Sequence, residues 1–175
     1  MPCLLVLDNA PTAAVRHKTL CDAFQKMLGT AVGVAYDANG KPSLTGYPPL
    51  RYLSVTTTGD YMVAALAGSR LGIDGERRDR FACVREGRFL AVAERFFTPE
   101  DYAFVRSDPR RFGEVWVRRE AYVKYTGAGI REFPAFSVSD GNELLPEVCG
   151  VPVGPLAVPL ADKSDYLFAV AGGKT

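Results

Sequence analysis

The chain has 175 residues, 47% of them hydrophobic, and a formal net charge of +1 from 21 basic and 20 acidic side chains. That length suits one sizeable domain or two small fused lobes, and the composition is that of a globular rather than a disordered protein. Near-neutrality removes any bulk electrostatic case for a nucleic-acid or membrane partner, no apolar run approaches the ~18 residues of a membrane span, and the N-terminus has no signal-peptide pattern, so a cytoplasmic protein is expected.

The apolar run at residues 3–7 reads as a buried strand that turns at Asp8, Asn9, Ala10 and Pro11. Thr12 is a natural N-cap for a helix over 13–28, in which Leu20, Phe24, Met27 and Leu28 share one face and Gly29 ends the run. His17, the only histidine, falls in the basic part of this helix and is read as a surface residue. With one histidine a multi-histidine metal site is impossible, so acid–base work falls to carboxylates, lysines and hydroxyls. A strand is expected over 32–36, then turn formers from Asp37 to Pro42 that present Lys41 to solvent. Residues 52–55 form the next strand, running into Thr56, Thr57 and Thr58 and a turn at Gly59 and Asp60, and residues 61–67 are short enough for another, although their alanines leave a helix open. Links this short favour antiparallel pairing.

In residues 71–76, LGIDGE, a period of two puts Leu71 and Ile73 on one face and Gly72, Asp74 and Glu76 on the other. Two carboxylates therefore point the same way. Residues 77–95 read as one or two helices, and Thr98 with Pro99, Glu100 and Asp101 starts a short helix to residue 105. Asp108 and Pro109 then open a long helix, with Phe112, Val115, Trp116 and Val123 as its buried stripe and Gly127 and Gly129 as its stop. On its flank Glu120 and Lys124 stand four apart, which alone is an ordinary surface ion pair contributing about 0.2–0.5 kcal/mol. Convergence of Glu120 with Asp74 and Glu76 would instead make a site for a hard divalent cation, better suited to magnesium than zinc, and such a cation usually binds a polyphosphate whose charge Lys124 could offset.

Short strands at 136–138, 157–160 and 166–170 complete the chain. The expected architecture is α+β, two similar lobes with antiparallel sheets, divided as residues 1–80 and 81–175 with the site in the cleft between them. Cys3, Cys21, Cys83 and Cys149 show no paired spacing and are read as reduced, mostly buried thiols.

The GKP turn at residues 40–42, the stretch LSVTTTGDYMVAAL, the strand LGIDGE, the segment FFTPEDY, the run WVRREAYVKYTGAGI and the closing DYLFAVAG together resemble a 4'-phosphopantetheinyl transferase of the surfactin-synthetase-activating (Sfp-like) type. The specific signal is joint: G-x-D-x-E, then about forty residues later W-x-x-[KR]-E-A-x-x-K-x-x-G-x-G. The resemblance implies a pseudo-twofold monomer that moves the phosphopantetheine arm of coenzyme A onto a serine of an apo acyl or peptidyl carrier protein and releases 3',5'-ADP. It further implies that Asp74, Glu76 and Glu120 hold magnesium on the coenzyme A diphosphate, that Lys124 contacts a phosphate, and that Lys41 contacts the nucleotide end. Glu120 or a metal-bound water takes the serine proton, and Arg118 and Arg119 are candidates for the phosphate side, although Arg119 falls on the buried stripe. Where the family carries a Ser-His-Ser motif this chain has Thr56-Thr57-Thr58, so Thr57 stands at the nucleotide-contacting histidine position without its charge. The N-terminal half is short, which leaves Arg16 and His17 as open candidates for coenzyme A. A relative that binds carrier protein or coenzyme A without transfer, and a magnesium-dependent nucleotide hydrolase, are the alternatives.

Overall fold

The computed structural model describes residues 2–82 and 86–173. Nine strands form two antiparallel sheets among the described residues, and one long helix packs on each. The first sheet runs β1-β5-β4-β3-β2, from β1 (Cys3–Asp8), β2 (Gly33–Tyr36), β3 (Pro42–Thr45), β4 (Tyr52–Thr58) and β5 (Tyr61–Ala67). Helix α1 (Ala13–Leu28) starts where the Thr12 hydroxyl accepts from the Val15 N–H and stops at Gly29, whose φ of 65° favours glycine. Its Leu20 and Phe24 pack on Leu53, Met62 and Leu66 of the sheet.

The second sheet runs β6-β9-β8-β7, from β6 (Leu71–Arg77), β7 (Glu147–Val148), β8 (Val151–Pro155) and β9 (Tyr166–Gly172). Strand β6, although it belongs to the first eighty residues, pairs along its whole length with β9, from Leu71 opposite Gly172 to Arg77 opposite Tyr166. Its other edge meets β4 rather than water. There the Ile73 N–H donates to Ser54 Oγ at 2.9 Å and the Gly75 N–H to Thr56 Oγ1 at 3.1 Å, so hydroxyls satisfy an edge that would otherwise seek another strand. Val63, Ala65, Leu71, Ile73 and Val158 fill the space between the sheets.

Between β6 and β9 lie α2 (Asp79–Ala82), α3 (Glu86–Phe96), α4 (Pro99–Ser107) and α5 (Phe112–Thr126). The Thr98 hydroxyl caps α4, and Asp108 caps a single 3-10 turn, Pro109–Arg111, that leads into α5. Helix α5 ends at Gly127, with φ at 82°. Arg119 is fully buried on α5: it pairs with the equally buried Asp101, donates to the Phe133 carbonyl, and lies against the rings of Phe97, Phe133 and Phe136. Asp101 in turn accepts from the Val138 and Ser139 N–H groups, which ties α4, α5 and the chain after α5 together.

The α+β class with two antiparallel sheets agrees with expectation, and several boundaries differ. Residues 136–138 carry no strand but an extended stretch held by Asp101, followed by one bridge between Ser139 and Leu144. The apolar residues 157–160 are not a strand either; Val158 and Leu160 are buried against the sheets as irregular chain. Pairing with β9 goes instead to β8, whose two prolines and glycine read as turn. Cys3 and Cys149 are exposed and Cys21 is half-buried, contrary to the expectation of mostly buried thiols, and Cys83 lies outside the described residues. No helix among the described residues is long and apolar enough to cross a membrane.

Candidate active site

Gly72 sets how closely α5 can lie on β6. A Cβ there would stand 2.2 Å from the Ala121 carbonyl oxygen and 2.3 Å from the Tyr125 nitrogen, so only hydrogen fits under the helix. Because side chains alternate along a strand, the face that carries Gly72 also carries Asp74 and Glu76, and α5 brings Glu120 and Lys124 down onto them.

Asp74 is 5% exposed, and its Oδ1 accepts from Lys124 Nζ at 2.8 Å and from the Thr56 hydroxyl at 3.2 Å. Its Oδ2 is buried with no hydrogen-bond partner. Lys124 Nζ also reaches the Val55 carbonyl at 3.4 Å. Glu76 pairs with Arg80; burial raises its pKa against the pull of that guanidinium. Burial, and then the charge of Asp74, push Glu120 up to about 7, with Lys124 opposing. Burial thus disfavours the charged form of both glutamates. Among the described residues no three His, Cys, Asp or Glu side chains close on a common point as a finished metal cage, since Lys124 and Arg80 are the cations on Asp74 and Glu76. An all-oxygen donor set containing a bare buried carboxylate oxygen nevertheless fits a hard cation that keeps several of its waters.

These groups line an open cleft of about 350 Å³ with Trp116, Arg80 and Thr57. Val55, Glu120 and Lys124 also line a second one of about 260 Å³ that extends to Lys41, Pro42 and Ile130. The two form one groove. At its far end Lys41 Nζ donates to the Tyr125 carbonyl at 2.8 Å, and burial, with Arg70 nearby, lowers its pKa. Thr57 lies exposed on the face of β4 opposite Thr56, at the groove's edge.

Other candidates lie elsewhere. Arg118 points away from the carboxylates and donates to the carbonyls of Leu145 and Val153, and Arg119 is enclosed as described, so neither reaches the groove. Arg16 donates to the Ala10 carbonyl, and His17 stands 3.4 Å from the Tyr36 hydroxyl. Three groove residues escaped the sequence reading. Thr56, rather than Thr57, touches Asp74, and its alternation with Ser54 and Thr58 was the available signal. Arg80 follows Glu76 by four residues across a strand–helix junction, and Trp116 precedes Glu120 by one helical turn.

Residues 70–166 match a family described as the 4'-phosphopantetheinyl transferase superfamily. The chain is also 32% identical over 158 residues to the 4'-phosphopantetheinyl transferase psf-1 of Bacillus pumilus, an alignment that covers 76% of this chain and 64% of that protein. It therefore spans just under two thirds of the relative's length.

Proposed function

Because the chain belongs to the 4'-phosphopantetheinyl transferase superfamily, we propose that it transfers the 4'-phosphopantetheine arm of coenzyme A to a serine of an apo acyl or peptidyl carrier protein, with release of 3',5'-ADP. The observation that carries this reading is the bare, buried Oδ2 of Asp74 beside Glu76, Glu120 and Lys124, in a groove that continues to Lys41. Asp74, Glu76 and Glu120 would hold Mg²⁺, which when bound supplies positive charge to the coenzyme A diphosphate.

The remaining chemistry belongs to the chain. The serine oxygen attacks the β-phosphorus while the bond from that phosphorus to the departing nucleotide phosphate oxygen breaks, so one P–O bond forms as another is lost. Glu120, on α5 beside Asp74 and Lys124, is the carboxylate assigned to take the serine proton. Lys124, on a flexible stem between Asp74 and the Val55 carbonyl, can turn its ammonium to a phosphate oxygen and offset the growing charge. Lys41 and Thr57 would meet the nucleotide portion along the groove. Positioning supplies most of the rate, and no covalent enzyme intermediate is needed.

Chromatography of 3',5'-ADP tests the reading. Release is expected when coenzyme A, Mg²⁺ and an apo carrier protein are all present, and absent when the acceptor serine is replaced by alanine. Release without any acceptor would indicate a nucleotide hydrolase, and bound coenzyme A without release a non-catalytic binder; either overturns the proposal.

A further inference from the structure

We propose that a second cleft, on the opposite side of α5 from the carboxylates, is a binding site for a carboxylate with an extended apolar body. The cleft has a volume of about 660 Å³, within the usual ~300–1,000 Å³ of small-molecule sites, and shares no residue with the groove around Glu120. Its walls are the outer side of α5, strand β9, and the irregular segment after β8.

Its lining divides by chemistry. Leu144, Leu156 and Leu167 contribute apolar surface to it, and its charged lining is Arg78, Arg118 and Lys163 with a single acid, Glu114. The balance is two positive charges, 3 − 1 = 2, over that apolar surface. The arginines are held in place. Arg118 is half-buried, with Nη1 donating to the Leu145 carbonyl at 2.8 Å and the Val153 carbonyl at 3.1 Å, and Arg78 Nε donates to the Ser164 carbonyl at 2.9 Å. Each guanidinium has five N–H donors. Among the described residues the remaining side-chain donors of Arg78 and Arg118 have no protein acceptor, and burial lowers the pKa of Arg118 against the opposing charge of Glu114. These donors are open to solvent, Arg78 being exposed, and a carboxylate matches the fork that they present. The apolar lining adds the second requirement, a body that leaves water for the leucines. A phosphate without an apolar body would satisfy only half of the cleft, as would a neutral hydrocarbon.

Titration calorimetry of the full chain with decanoate, decanol and butyrate separates the two requirements. Decanoate is expected to bind one-to-one with Kd below about 1 mM, and decanol and butyrate each at least about tenfold more weakly, the loss that follows from removing a charged hydrogen bond or most of the apolar body. Arg118→Gln should weaken decanoate about tenfold or more. Because Arg118 also braces two carbonyls, Ala157→Trp is the independent variant: Ala157 is exposed and lines the cleft, so an indole there fills it from the solvent side and should abolish binding. Coenzyme A binding should be unchanged in Ala157→Trp, which keeps this test separate from that of the groove. Equal affinity for decanol and decanoate, no saturable decanoate binding, or full binding by Ala157→Trp would overturn the proposal. A dimer that forms with concentration and is lost in Ala157→Trp would likewise overturn it, by assigning the cleft to a second copy of the chain.

Discussion

Glu120 concentrates the electrostatics of the groove. An unfolded glutamate titrates near about 4.3. In the folded chain burial and Asp74 push Glu120 up to about 7, so between those values the folded state holds a proton that the unfolded state has lost. This term is therefore fully present below the unfolded pKa and is lost as pH rises through about 7. Glu76, also raised by burial, acts in the same direction. Thermal unfolding in EDTA should show stability falling from pH 5 to pH 8, with a smaller fall in Glu120→Gln; an equal fall in the two would remove Glu120 as its source. The same variant should keep its fold and lose phosphopantetheine transfer about a hundredfold or more, as when one charge-stabilising group is removed from an active site. Asp101 and Arg119 are a different kind of pair. Both are fully buried, and Asp101→Ala would strand the Arg119 charge, costing about 3–5 kcal/mol by urea unfolding. A loss under 1 kcal/mol would mean that water or the aromatic rings suffice for the guanidinium.

At the level of elements, the packing of α5 on β6 depends on Gly72. Gly72→Ala places a carbon within 2.3 Å of two backbone atoms of α5, neither of which can swing aside like a side chain. The helix must lift, and overpacking of this kind costs about 1–3 kcal/mol or more. Gly154→Ala in β8 is the control, because nothing lies within 4 Å of its added carbon, and it should change stability by less than about 0.5 kcal/mol. Equal effects in denaturant melts would show that helix and strand are not in close contact. How far such contacts could be read in advance depended on whether they left a local mark. The caps at Thr12, Thr98 and Asp108 and the stop at Gly127 did so, because capping is a matter of a few adjacent residues. The shared face of Gly72, Asp74 and Glu76 followed from period two. Strand β8 left no such mark, since Val-Pro-Val-Gly-Pro resembles a turn and is extended only by pairing with β9. Conversely, Val158 and Leu160 have the composition of a strand but gain their burial from the space between the sheets without a ladder.

The whole molecule places its groove where α5 crosses the junction of two sheets. Strand β6 is shared: its backbone pairs with β9, its free edge is held by hydroxyls of β4, and its carboxylates lie under α5. That β6 belongs by hydrogen bonding to the second sheet, though it falls in residues 1–80, was hidden because its partner is almost a hundred residues away. Distance in sequence also hid the Thr56–Asp74 contact and the position of Arg118, whose carbonyl acceptors lie beyond α5. The groove runs from Trp116 to Lys41 along the side of α5 that carries Glu120 and Lys124. The most direct test is the intact mass of an apo carrier protein after incubation with the chain and coenzyme A, in Mg²⁺ and in EDTA. The account predicts a mass gain of one phosphopantetheine arm in Mg²⁺ and none in EDTA. An unchanged mass across acyl and peptidyl carrier proteins, with the chain folded and coenzyme A bound, would contradict it.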